Sequence, residues 1–169
     1  MSTPEPVRHT IEIPDQVEYG ADEPESAPSA ATWSDVDARL RTERYFWLVV
    51  IRPDGRPHAV AVWGIWEDGC LWFTMSPRTR TARHLARDPR VLVHLPDAAN
   101  AVVLEGEARQ AAPATVPISV IDRYEAAYGW RLDPADPQMP YFAVRTALVR
   151  AWSAADVRGT ATRWDLLSG

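Results

Sequence analysis

The chain has 169 residues, 46% hydrophobic and 24% charged, with a formal net charge of −5, one cysteine and four histidines. That length suits one domain with its own core, the lone Cys70 excludes an intramolecular disulfide, and the scattered histidines offer no zinc spacing. All 18 basic residues are arginine, which excludes a Schiff-base lysine and the lysine of a P-loop, while the acidic balance argues against general nucleic-acid binding.

Residues 1–31 carry Pro4, Pro6, Pro14, Pro24 and Pro28 among acidic and small residues, with one short apolar alternation at 7–13. They read as a flexible N-terminal arm, either a solvated tail or a segment that folds over a partner subunit. The start lacks the basic stretch and apolar centre of a signal peptide, and no apolar run approaches the roughly 20 residues of a membrane span. A cytoplasmic protein with no membrane partner is expected, its folded domain covering residues 32–169.

Thr32 caps an expected helix over 33–42, with Asp35 and Asp37 in its first turn and Arg39 and Arg41 near its end. Residues 45–52 are apolar almost throughout, which predicts a strand covered on both faces. Pro53-Asp54-Gly55 turns the chain into a second strand, 58–66. There Val60 and Val62, with Gly64 and Trp66, share one face, and Ala59, Ala61, Trp63 and Ile65 share the other. Glu67-Asp68-Gly69 leads to a third strand, 70–76, and a helix over 79–87 stops before Asp88-Pro89.

Strands at 90–95 and 101–110, a helix from Pro117 to about Tyr128 stopped by Gly129, a strand at 141–152 and a short segment at 160–166 complete the chain. Six or seven mostly antiparallel strands with two or three peripheral helices predict a small closed or split β-barrel.

The strongest chemical signal runs from Phe73 to Thr81, where a strand end feeds a helix start. Free amides at a helix N-terminus attract anions, hydroxyls donate to them, and a guanidinium grips phosphate with two parallel bonds. Thr74, Ser76, Arg78, Thr79, Arg80 and Thr81 supply all of these; a capped surface helix bearing a solvated arginine stripe fits the same spacing. Four of the eight tryptophans, Trp47, Trp63, Trp66 and Trp72, lie in the strand meander, either as a wall for a flat heterocycle or as core. His58 follows the turn, as a proton donor or a structural residue. Cys70 opens a strand where a small apolar residue belongs. No Ser-His-Asp order, paired-carboxylate motif or dinucleotide fingerprint appears.

The run from Tyr45-Phe46-Trp47-Leu48 through Asp54-Gly55-Arg56-Pro57-His58, with Val62-Trp63-Gly64-Ile65-Trp66 and Leu85-Ala86-Arg87-Asp88-Pro89-Arg90-Val91, resembles the pyridoxamine 5'-phosphate oxidase-like, flavin-binding split-barrel family. Tyr128-Gly129-Trp130 and Ala161-Thr162-Arg163-Trp164 are similar to a branch associated with the deazaflavin coenzyme F420. The resemblance spans roughly residues 32–167. It implies a homodimer of split barrels with coenzyme F420, or alternatively FMN, in grooves between subunits. Thr74, Ser76, Thr79, Arg80 and Thr81 would then face the cofactor phosphate with Arg78 near them, and Val60, Ala61, Val62 and Trp63 would line its ring through backbone groups. His58 and Arg163 are the expected polar groups near the ring. Trp164 either closes the pocket or packs on the barrel.

Two positions depart from the family pattern. Thr81 stands where the family commonly has lysine, and Ala61 where it usually has proline. A lost charge-assisted contact is worth about 1.5–3 kcal/mol. The expected function is a flavin- or deazaflavin-dependent oxidoreductase moving hydride to or from a small organic substrate; the alternative is a non-catalytic cofactor-binding or sequestering protein, which Thr81 favours. The arginine-rich C-terminal signature of true pyridoxamine phosphate oxidases is not evident.

Overall fold

A computed structural model of the chain describes residues 5–10 and 29–166. Most of the expected N-terminal arm lies outside the described residues, but part of it, Val7–Thr10, forms a strand, β1. Helix α1, Trp33–Thr42, starts as its capping residues dictate: the Thr32 hydroxyl accepts from the Asp35 amide at 3.2 Å and the Asp35 carboxylate accepts from the Thr32 amide at 2.9 Å. Strands β2 (Tyr45–Ile51), β3 (Pro57–Glu67) and β4 (Cys70–Thr74) follow as the expected meander. Its two turns use Gly55 and Gly69 at φ of +81° and +77°.

Helix α2 (Arg80–Arg87) leads to β5 (Arg90–His94) and β6 (Asn100–Gln110). Helix α3 (Ile118–Tyr128) ends at Gly129 in left-handed geometry. The remaining elements are β7 (Tyr141–Ser153), a short α4 (Val157–Thr160) and β8 (Thr162–Asp165).

The strands pair antiparallel in the order β7-β4-β3-β2-β5-β6, and β6 returns to β7, closing a six-stranded barrel; β8 and then β1 extend the sheet beyond β7. Closure depends on β7. One edge of it pairs with β6 from Phe142 to Ser153, while the other is shared, Tyr141 to Arg145 with β4 and Leu148 to Ala151 with β8. A register shift at Glu105/Gly106 leaves Ala147 as the extra residue at that handover.

Inside the barrel, Phe46, Leu48, Val50, Leu71, Phe73 and Val144 are fully or almost fully buried. A second apolar cluster lies outside the wall, where α3 sets Val120, Ile121 and Tyr124 against Ile65, Trp72 and Tyr141. Polar bonds fix this helix in place. Arg123 donates to the Trp66 carbonyl at 2.7 Å, the Glu67 carboxylate at 3.1 Å and the Arg41 carbonyl at 3.0 Å, and the Ser119 hydroxyl also donates to Glu67.

The expectation that β2 is covered on both faces is corrected within the single chain. Its inward residues are buried, but Tyr45 and Trp47 on the outward face remain 53% and 41% exposed, because α3 covers only the later part of β3 and its neighbours. Among the described residues no helix is long and apolar enough to cross a membrane, and no cluster of metal-ligating side chains occurs.

Candidate functional site

The barrel wall is incomplete beside β3. This strand pairs with β2 from Pro57 to Trp63, but with β4 only from Gly64 to Glu67, because β4 is just five residues long. Ladder parity determines what the uncovered edge presents. The Gly64 amide donates to the Arg44 carbonyl at 3.2 Å and the Arg52 amide to the Arg56 carbonyl at 2.9 Å, so the even-numbered residues of β3 point their backbone groups at β2. The amides and carbonyls of Ala59, Ala61 and Trp63 therefore point away from β2, toward the side that β4 has left. Unpaired strand edges of this kind bind whatever offers matching donors and acceptors.

Helix α2 begins shortly after β4 ends and reaches the start of β3, where the His84 and His58 rings meet edge to face at 6.0 Å. Thr79 caps it, accepting from the Ala82 amide at 3.1 Å and donating to Met75 Sδ at 3.4 Å. Among the described residues the amides of Arg80 and Thr81 have no partner, and no acidic residue occupies the first turn. Arg78, Arg80, Arg83 and Arg87 make no ion pair among the described residues. By contrast Arg39, Arg41, Arg90, Arg123, Arg131 and Arg150 each hold a carboxylate. Four arginines without an ion pair among the described residues thus stand on or beside one short helix, which makes its surroundings a candidate anion site.

The expected site residues separate into three groups. Ala61 and Trp63 lie on the outward face beside the open edge, and Arg78 and Arg80 are exposed at the helix start. Ser76 is close to them in the chain, its hydroxyl accepting from the Arg78 amide at 3.3 Å and retaining its proton to donate. Thr74 bonds through Oγ1 to the Tyr124 hydroxyl at 3.1 Å.

Val60 and Val62 point into the barrel core, so only their backbone belongs to the wall, and Gly64 also faces inward, against Phe46 and Leu71. The Thr79 hydroxyl is occupied by capping on both its donor and acceptor sides. Thr81 is 5% exposed, on the buried side of α2 with Ala82 and Leu85. Of the two roles expected for Trp164, its surroundings match packing on the barrel: it is 0% exposed, in the core 5.8 Å from Trp33. Arg163, its neighbour on β8, is paired with Asp165 at 3.0 Å.

Aromatic residues from the end of α3 flank the open edge. Trp63 stacks on Tyr128 at 5.0 Å and 14°, and Trp130 lies 5.6 Å from Trp63. The Tyr128 hydroxyl donates to the Arg44 carbonyl at 2.5 Å, with the Gly64 carbonyl 3.0 Å away, and accepts from the Gly64 amide at 2.9 Å, fastening α3 to the β2–β3 ladder. Sequence reasoning missed these polar contacts, since the spacing of Tyr124 and Tyr128 along the helix does not report where a phenol tip ends.

Burial raises the pKa of all three tyrosines in this region, that of Tyr141 to about 12. Their neutral forms thus favour the folded state at full strength below the free-tyrosine value near pH 10, and that contribution is lost as pH rises through the folded values. An ultraviolet titration of the native protein should show Tyr124, Tyr128 and Tyr141 ionising only well above that point, together with loss of tertiary structure. Early ionisation of all five tyrosines of the chain would contradict this packing.

Comparison with known proteins agrees with the architecture. A family model for pyridoxamine 5'-phosphate oxidase matches residues 33–154. Among solved structures, an F420 reductase is similar at 23% identity and a TM-score of 0.54, over 67% of this chain and 94% of that one. A protein of unknown function from Agrobacterium tumefaciens str. C58 is 28% identical at a TM-score of 0.58, over 79% of this chain and 64% of that one. A conserved hypothetical protein from Mycobacterium tuberculosis is 23% identical at 0.61, over 78% and 90%. No curated protein gives a significant match.

Proposed function

This chain belongs to the pyridoxamine 5'-phosphate oxidase family, and from that premise we propose a flavin- or deazaflavin-dependent oxidoreductase that moves hydride between coenzyme F420, or alternatively FMN, and a small organic substrate. The observation that carries the reading is the pairing of an open strand edge with a helix start whose cations and first amides have no partners among the described residues. Those features match the two ends of such a cofactor. Arg78, Arg80 and the amides of Arg80 and Thr81 would hold phosphate. The backbone groups of Ala59, Ala61 and Trp63 would meet the polar edge of the ring, with two alanine side chains leaving it room. Once bound, the cofactor supplies the hydride donor and acceptor.

Water exclusion falls to the aromatic group Trp63, Tyr128 and Trp130 and to a second copy of the chain. Tyr45, Trp47 and Trp63 form an exposed outward face with Ala59 and Ala61, larger aromatics than an isolated barrel leaves in solvent. A twofold pairing through this face would cover the open edge from outside and make a homodimer with the cofactor groove at its interface.

The second reading is a protein that holds the cofactor without catalysis. Thr81 favours it, since this position adds no positive charge and is buried. Equilibrium titration of the purified protein with FMN and with F420, followed by fluorescence and by mass in solution, tests the proposal. Micromolar binding of one of them by a dimer is expected. A monomer binding neither would sink it, whereas tight binding without redox exchange with any small acceptor would favour the non-catalytic reading.

A further inference from the structure

The bond between Thr74 and Tyr124 has a direction that burial imposes. Tyr124 is 3% exposed, set among Ile65, Trp72, Val120 and Ile121, and among the described residues its hydroxyl has one partner, Thr74 Oγ1 at 3.1 Å. A neutral phenol has one proton to donate, and leaving it unbonded in apolar surroundings is costly. Burial raises the Tyr124 pKa, so that proton is present at neutral pH. The favourable arrangement therefore has Tyr124 donating and Thr74 Oγ1 accepting. The threonine proton is then free, on a half-buried residue at the end of β4, close in the chain to Ser76 and Arg78.

Resting on the functional reading above, we propose that Tyr124 is a positioning residue: by donating to Thr74 it commits the threonine hydroxyl to donate to the phosphate of the bound cofactor. Anions need donors, and an unconstrained hydroxyl offers its lone pairs as readily as its proton. Strand pairing holds the rest of Thr74 in place, through its register partner Tyr141. Removing the phenol hydroxyl would free the Thr74 rotor without altering any group that touches the ligand. Tyr124 would thus act on phosphate affinity from the far side of Thr74.

The test compares a cofactor with its phosphate-free analogue: FMN against riboflavin, or F420 against the same deazaflavin without its phosphate tail, whichever the wild type binds. Tyr124→Phe should weaken binding of the phosphorylated form by about fivefold, roughly the worth of one hydrogen bond, and leave the analogue's affinity unchanged. Thr74→Val should do at least as much, and adding Tyr124→Phe to it should cause no further loss, since both act through one hydroxyl. An unchanged affinity ratio in Tyr124→Phe, or additive losses in the double variant, would overturn the inference while leaving the functional reading standing. If Tyr124→Phe fails to fold, an unchanged ratio in Thr74→Val overturns it just as well. A wild type that binds phosphorylated and phosphate-free forms equally, or binds neither, would instead sink the cofactor site itself.

Discussion

Gly106→Ala is expected to destabilise the fold by about 3 kcal/mol, the upper part of the range for overpacked sites. A Cβ at this position would stand 2.2 Å from the Arg145 carbonyl oxygen and 3.0 Å from both the Arg145 carbonyl carbon and Thr146 Cα. All three are backbone atoms of β7, so no rotamer change relieves the clash. The site is the register shift where β7 passes from β4 to β8, and there the Thr146 amide donates to Gly69 and the Ala147 carbonyl accepts from Leu166. Separating the strands would open the seam that closes the barrel. Gly64→Ala offers a contrast, because its added carbon would meet the side-chain end of Leu71 at 2.7 Å and the Phe46 ring at 3.1 Å, of which the leucine can rotate. Urea denaturation should show a large fall in midpoint for Gly106→Ala and a smaller one for Gly64→Ala. A Gly106→Ala protein within about 1 kcal/mol of the parent, the ordinary effect of a point mutation, would refute the described seam.

The double variant Arg78→Ala/Arg80→Ala should lose about a hundredfold in affinity for whichever phosphorylated cofactor the protein binds. Two charge-assisted contacts at about 1.5 kcal/mol each give that factor. The affinity lost should also be the part that salt weakens, since exposed cations are screened. Arg87→Ala is the control. Seven residues beyond Arg80 on the same helix, at a rise of about 1.5 Å per residue, Arg87 lies about 10 Å from the helix start. It should leave affinity nearly unchanged. Equal losses from both ends would mean a diffuse basic surface in place of a defined phosphate site, and no loss from the double variant would remove phosphate from that helix altogether.

Much of the fold was legible because the relevant signals are local. Thr32 with Asp35, Gly55, Gly69 and Gly129 act within a few residues of themselves, and each does what its chemistry predicts. Alternation along β3 assigned its two faces correctly. What stayed hidden depends on distant partners. The six barrel strands stand as expected, but the described residues add β1, which exists only through its pairing with β8, more than 150 residues away in the chain. The exposed side of β2 reads as interior, since a face awaiting a partner has the same apolar composition as a core.

The site was legible in part for the same reason. The helix start could be recognised from Ser76 to Thr81, but assigning each hydroxyl required the fold: Thr79 is engaged by its own helix, Thr81 is buried and Thr74 is bonded to α3. Trp164 shows the opposite limit. A motif match left two roles open for it, at the pocket or on the barrel, and only the fold shows it packed in the core beside Trp33.

The double role of β7 also sets the order in which this protein can be made. Until Tyr141–Ser153 has been synthesised, β4 and β6 both lack the neighbour that closes the barrel. A chain growing at about 5–20 residues per second therefore spends several seconds with apolar strands and unpaired edges exposed. The barrel can close only once β7 has been made, so a truncation before β7 would leave an aggregation-prone fragment and not a smaller barrel.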